Sequence, residues 1–191
     1  MNVLVATPIA KHKLYSLDDW VAATAGHHRA MSIDREDEHI SPLIDRHGVR
    51  VIVFDPPQND DPGPFQHPFT PRKYNEAYRV LFEYAKANGF PYVLSLQSDN
   101  IPLNGVDVVK EMEQYWEDGI DFLVQLSPWR ASYGRPERKG FEMGCTLATT
   151  DTWFKALAEL PHDGVPLYWA VYQDRYKSKQ IDVIELDHPD E

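Results

Sequence analysis

The chain has 191 residues, enough for one domain with a full core and short of two. Its hydrophobic fraction of 42% and aromatic fraction of 12% exclude a disordered tail. Against 19 Lys and Arg stand 30 Asp and Glu, and the formal charge of -11 argues against non-specific binding to nucleic acid or anionic membranes. The single cysteine, Cys145, excludes an intramolecular disulfide and makes a cysteine-built metal centre improbable. No stretch approaches the roughly 20 apolar residues of a membrane span. The first eight residues have too short an apolar run, and no basic start, for a signal peptide. A soluble cytoplasmic domain is the expectation.

Residues 3–6 form a short apolar run stopped by Thr7 and Pro8, and read as a buried strand. Ser16 followed by Leu17, Asp18 and Asp19 reads as a helix start, with acids where the helix dipole favours them and Gly26 as the stop. A second strand is expected at 30–33, ending in the acidic run from Asp34 to Asp37, and a short helix at 41–47. A third strand, rich in Val and Ile, follows at 49–54. Residues 55–71 hold six of the 15 prolines and show no period, so a functional or disordered loop is expected there.

The clearest helix spans 73–88, where Tyr74, Ala77, Tyr78, Leu81, Tyr84 and Ala85 recur at spacings of three and four before Gly89. A strand at 92–96 is broken by Gln97-Ser98-Asp99-Asn100-Ile101-Pro102. A helix at 106–116 and a strand at 122–126 come next. Residues 127–140 form a basic and aromatic loop carrying Trp129, Arg130, Tyr133, Arg135, Arg138 and Lys139. An extended stretch at 141–148 leads to a helix capped by Thr150 or Asp151 and running to 160. A helix at 167–176 and a strand at 181–186 complete the reading. Strand and helix alternate through the first hundred residues, which argues for an α/β sheet with helices on both faces.

In open α/β sheets, ligands sit beyond the carboxyl ends of the strands. Thr7, Asp34, Asp55 and Asp99 each follow one of the first four strands, and a parallel sheet would bring them to one edge. Asp99 is the sharpest, because it follows an apolar strand at once and lies between Ser98 and Asn100. A carboxylate fixed there suits a hard divalent cation bridging a diphosphate. The plainer reading is a turn closed by an Asx side-chain bond.

Asn75-Glu76-Ala77 opening a helix, then Ala85, Gly89 and the strand Tyr92-Val93-Leu94-Ser95-Leu96 leading into Gln97-Ser98-Asp99, resembles the centre of GT-A-fold glycosyltransferases. The start Val3-Leu4-Val5-Ala6-Thr7-Pro8 resembles that fold's first strand and nucleotide-contacting turn. Gly144-Cys145-Thr146-Leu147-Ala148 resembles its Gly-containing strand at the donor–acceptor boundary. The resemblance covers most of the chain and implies a single-domain, GT-A-like (Rossmann-like), mostly parallel sheet. Residues 1–105 would form the nucleotide-sugar-binding half and residues 106–191 the acceptor half.

The implied activity is sugar transfer from a nucleotide-sugar donor to an acceptor hydroxyl on a glycan, a small molecule, a protein or a modified nucleobase. Mn2+ or Mg2+ would assist as a Lewis acid on the departing diphosphate. The implied donor-binding residues are Thr7, Pro8, Asp34, Arg72, Gln97, Ser98 and Asp99, with Asp99 and His188 as metal ligands. The basic loop would neutralise the leaving diphosphate. The pattern departs from the family in two places. Gln97 stands where the first acid of the Asp-x-Asp motif belongs, and the Glu-Asp pair of inverting members is missing. Asp163 and Glu142 are the acids available as general base.

Two other readings stand beside this one. A sugar-nucleotide nucleotidyltransferase would carry a Gly-rich first loop, and residues 7–13 hold no glycine. A degenerate module that binds a nucleotide or glycan without turnover is consistent with Gln97. His27, His28, Asp34, Asp37 and His39 also invite a hydrolase metal site, although their spacing follows no established ligand pattern.

Overall fold

A computed structural model describes residues 1–57, 71–125, 144–159 and 176–187. Within them the strands are β1 (Val3–Pro8), β2 (His28–Asp34), β3 (Arg50–Phe54), β4 (Tyr92–Leu96), β5 (Ile101–Pro102), β6 (Phe122–Gln125), β7 (Cys145–Thr149), β8 (Ser178–Ile181) and β9 (Leu186–Asp187). The helices are α1 (Leu17–Ala23), α2 (Ser41–Asp45), α3 (Pro71–Ala87), α4 (Val108–Tyr115) and α5 (Thr150–Glu159). Seven strands form one sheet in the order β3-β2-β1-β4-β7-β6-β8, and β5 pairs with β9 in a second, two-stranded sheet. β1 through β4 run parallel, as do β6 and β8, whereas β7 runs antiparallel to both β4 and β6. The fold is thus an α/β, mostly parallel sheet.

The strands alternate side chains between the two faces, and each face is buried under helices. Val3 and Val5 join Leu17, Trp20, Ile44, Val108 and Met112 on the face covered by α1, α2 and α4. Leu4 and Ala6 join Tyr78, Leu81, Phe82, Ala85, Trp153 and Ala156 on the face covered by α3 and α5. The second face is the more aromatic. Trp153 stacks on Phe82 at 5.1 Å and meets Phe122 edge-on at 5.0 Å, while its indole N–H donates to the Val93 carbonyl at 3.0 Å. The apolar ring plane and the polar N–H are both satisfied without exposure, the condition for burying an indole.

Helix boundaries follow local chemistry, with some departures from the sequence expectation. α3 closes as expected at Gly89, whose φ of +72° lets the Phe90 N–H return to the Ala85 carbonyl at 2.9 Å. Ser16 stands at the N-cap of α1 as expected, but its hydroxyl makes no cap bond to the helix. A 3-10 turn over Lys11–Ser16 precedes the helix, and the Ser16 hydroxyl donates back to the Lys13 carbonyl at 2.8 Å. The cap of α5 is Thr149 and not Thr150 or Asp151, because the Thr149 hydroxyl accepts from the Thr152 N–H at 3.1 Å. Thr150 instead donates to the Phe90 carbonyl. The strand expected at 181–186 is divided into β8 and β9 by a bend that pairs each piece with a different sheet. Most of the expected helix at 167–176 and of the loops at 55–71 and 127–140 lies outside the described residues.

Trp153 anchors the more aromatic face through two rings and a carbonyl. Trp153→Ala is expected to cost about 3–5 kcal/mol, the range for deleting a large buried aromatic, read as a shift in the urea midpoint with an unchanged slope.

Candidate functional site

The parallel strands β1, β2, β3 and β4 deliver their carboxyl ends to one edge, so Thr7, Asp34, Asp55 and Asp99 converge there as the sequence implied. Their chemistry then diverges. Thr7 is fully buried and its hydroxyl donates to the Pro8 carbonyl at 3.0 Å, while Pro8 pairs in register with Ser32. Asp34 ends β2 with one oxygen accepting from the Glu36 N–H at 2.9 Å, which caps the 3-10 turn Arg35–Ile40. Its other oxygen forms an ion pair with Lys73 in the first turn of α3. Asp55 lies on the surface, where Arg35 holds its carboxyl below the ordinary range.

The centre of the edge is the turn that ends β4. The Leu96 carbonyl accepts from the Trp20 indole N–H at 2.9 Å, and the Gln97 N–H donates to the Gly144 carbonyl at 2.9 Å. The Asn100 N–H then closes back on the Gln97 carbonyl at 3.0 Å. Asp99 and Asn100 are therefore buried on a backbone held from three sides. Gly144 is required by space. A Cβ built there would lie 2.2 Å from Asn100 Nδ2.

Gln97 is drawn into a chain of polar groups. Its Nε2 donates to the Tyr74 hydroxyl at 2.8 Å, and its Oε1 accepts from Asn100 Nδ2 at 3.3 Å. Tyr74 lies 3.5 Å, oxygen to oxygen, from Tyr78, which accepts from the Ser95 hydroxyl at 3.1 Å. Burial pushes the Tyr78 hydroxyl well above its ordinary pKa, and the neighbouring Tyr74 and Asp99 push the same way. Burial likewise drives the Cys145 thiol up to about 12, so it is a packed core group and not a nucleophile. The buried Oδ1 atoms of Asn75 and Asn100 meet no donor among the described residues.

Asp99 is paired with Lys13, whose ammonium lies 2.8 Å from Asp99 Oδ2 and 3.3 Å from the Tyr15 hydroxyl. Burial by itself would lower the Lys13 pKa, but the bonds to Asp99 and Tyr15 outweigh it and the net shift is upward. The sequence expectation overlooked Lys13. Its signal was present as a lysine soon after the first strand, but nothing in spacing told its partner.

The second sheet frames the turn from the other side. Ile101 pairs with Asp187, and the Leu103 N–H donates to the Glu185 carbonyl at 2.9 Å. Gln125, another residue that sequence reasoning missed, bends the chain toward this pairing. Its Oε1 accepts from the Val183 and Ile184 N–H groups at 3.1 and 3.0 Å.

Of the other expected site residues, Glu142, Asp163, His188 and the basic loop lie outside the described residues. So does the Arg72 side chain, although its backbone belongs to α3. The histidine and acid group near the second strand does not assemble. His27 pairs with Asp107 at 2.8 Å, His28 packs edge-on to Phe90, and Asp37 accepts from the Lys11 N–H.

A divalent cation does not suit the described donors. Asp99 offers one carboxylate, already facing an ammonium, and Gln97 offers an amide oxygen engaged by Asn100. Among the described residues no three His, Cys, Asp or Glu side chains come together as a ligand set.

No protein-family model and no curated protein matches the sequence. Solved structures do match in three dimensions. One is a mannosyltransferase from Pyrobaculum calidifontis in complex with GDP-mannose and Mn2+, with TM-score 0.61, 11% identity, and 95% of this chain and 55% of that chain covered. A second is glucosyl-3-phosphoglycerate synthase from Mycobacterium tuberculosis with Mn2+, UDP and phosphoglyceric acid, with TM-score 0.59, 14% identity, and 100% and 71% covered. A third is a nucleotidyl transferase from Methanothermobacter, with TM-score 0.54, 14% identity, and 94% and 85% covered. The chain has the GT-A-like fold of the glycosyltransferases among these structures. Among the described residues no helix is long and apolar enough to cross a membrane.

Two outcomes test this geometry. Gly144→Ala is expected to cost about 1–3 kcal/mol by urea unfolding, the range for overpacking, and a Gly144→Ala/Asn100→Ala double variant to cost less than the sum of its parts. The raised Lys13 pKa makes the pair's stabilisation complete below the ordinary lysine value of about 10.4 and lost as pH rises through the higher folded value. The stability gap between wild type and Lys13→Met should therefore hold steady from neutrality to about pH 9 and narrow above about 10.4.

Proposed function

We propose that this chain is a glycosyltransferase that binds a nucleoside-diphosphate sugar at the carboxyl edge of β1, β2 and β4 and transfers the sugar to an acceptor hydroxyl. One observation carries the reading. The Gln97–Asn100 turn, with Ser98, Asp99 and Asn100 buried, ends β4 at the centre of the sheet order β3-β2-β1-β4-β7-β6-β8, in a fold shared with structures that hold UDP or GDP-mannose. The location also agrees with the general rule for ligands in open α/β sheets.

In this reading, residues 1–105 supply the donor half and residues 106–191 the acceptor half. Thr7 and Pro8 line the turn beneath the nucleotide, Asp34 lies toward the base or ribose, and Ser98 and Asp99 lie by the diphosphate. Arg72 and the basic loop at 127–140 add positive charge. Chemically, the acceptor oxygen forms a bond to the anomeric carbon while the bond from that carbon to the diphosphate oxygen breaks. The electron pair of the broken bond leaves with the diphosphate. The acceptor proton goes to a base, for which Asp163 and Glu142 are the acids in the acceptor half. Mn2+ or Mg2+ accompanies UDP or GDP-mannose in structures of similar fold, but the donors described at this edge do not suit such an ion, and the transfer balances without one. A binding module without turnover is the second reading, favoured by the neutral Gln97.

The experiment is a thermal-shift panel with UDP, GDP, CDP and dTDP, each in Mn2+ and again in EDTA. A ligand at about 100 times its Kd stabilises the fold by about 2.7 kcal/mol, a plain rise in Tm. A rise with one diphosphate in either buffer is expected, and no rise in both would sink the reading. Release of that nucleoside diphosphate from its sugar conjugates then separates an enzyme from a binding module. Asp163→Asn and Glu142→Gln identify the base by which of them loses turnover with Tm unchanged.

A further inference from the structure

We propose that Lys13 supplies the cation of this site, so that the chain holds its nucleoside diphosphate through a lysine ammonium and without a divalent metal. The inference rests on the donor reading above. Its starting point is a count of charge at the end of β4. Gln97 is neutral, and both polar ends of its carboxamide are bonded, to Tyr74 and to Asn100. The described turn thus carries one negative charge, on Asp99, and Lys13 already cancels it from 2.8 Å. An entering divalent ion would have to displace the ammonium and would then gain a single carboxylate from the described residues. Hard divalent ions are held best by several carboxylates, and among the described residues no three Asp, Glu, His or Cys side chains come together.

The ammonium is also held where a diphosphate would need it. Lys13 lies in the 3-10 turn that follows β1, on the sheet edge where β1 and β4 end side by side. Its N–H donates to the Ala10 carbonyl at 2.9 Å, and its carbonyl accepts from the Ser16 hydroxyl at 2.8 Å. The backbone is therefore fixed on both sides of the residue. An ammonium has three N–H donors. The described contacts use two, to Asp99 and to Tyr15, which leaves the third for a phosphate oxygen. Asp99 in this arrangement is a positioning residue: it aims the ammonium and keeps it charged. A lysine serves phosphate as a point charge, a role that needs no fork geometry.

Titration calorimetry tests the inference with the nucleoside diphosphate chosen by the thermal-shift panel and with the matching nucleoside. Wild type is compared in EDTA and in Mn2+, alongside Lys13→Met and Lys13→Arg. The expected result is a diphosphate Kd in EDTA within about threefold of that in Mn2+, and a loss of about tenfold or more in Lys13→Met. Nucleoside affinity should be unchanged by Lys13→Met, which excludes misfolding as the cause, and Lys13→Arg should retain most of the diphosphate affinity. Diphosphate binding that EDTA abolishes and Mn2+ restores overturns the inference and leaves the donor reading standing. Equal diphosphate affinity in wild type and Lys13→Met also overturns it, reducing the ion pair to a structural one. Diphosphate binding in neither buffer overturns the donor reading and this inference together.

Discussion

The end of β4 is the constraint on which the rest of the molecule depends. β4 lies between parallel β1 and antiparallel β7, so its last residues meet two strands running in opposite senses. The Trp20 indole takes the Leu96 carbonyl from one face, and the Gly144 carbonyl takes the Gln97 N–H from the β7 side. A buried backbone group without a partner costs about 1–3 kcal/mol, so these two bonds permit the chain to turn inside the protein. The turn puts Asp99 and Asn100 in a polar recess and then hands the chain to β5 and its pairing with β9. A core tryptophan and a strand-leading glycine thereby set the site.

The polar groups at this edge are matched mainly within the protein. Asp34 meets Lys73, Asp99 meets Lys13, and Gln97 joins Tyr74 and Asn100. Low-dielectric surroundings strengthen such contacts and penalise any that are left incomplete, so the arrangement is pre-set before a ligand arrives. α3 takes part in both core and site. Its Tyr78, Leu81, Phe82 and Ala85 fill one face of the sheet, while Lys73 and Tyr74 at its start reach the carboxyl edge. Packing of one amphipathic helix thus fixes the position of two polar side chains in the recess.

Much of the architecture was legible because it rests on short-range pattern. The apolar runs at β1, β3 and β4 and the three–four spacing in α3 each name an element without reference to distant residues. Parallel pairing of the first strands then follows from their alternation with helices. Errors arose where local signals were ambiguous. Thr149, Thr150 and Asp151 all look like caps for α5, and the choice among them depends on where β7 ends. The break between β8 and β9 escaped notice because Gln125, far away in sequence, bends the intervening chain by accepting two of its N–H groups.

The sequence by itself determined the α/β class, the helices on both faces, and the polar turn after the fourth strand as the centre of interest. It also marked Gln97 as a neutral residue in an acidic position. Tertiary structure alone decided what that neutrality meets. Lys13 and Asp99 are separated by 86 positions, as are no residues that a periodic pattern relates, and only the side-by-side ends of β1 and β4 bring them within 2.8 Å. Periodicity records which face of an element is buried. A contact between two polar side chains on different strands depends on the order and direction of those strands, which no local pattern contains.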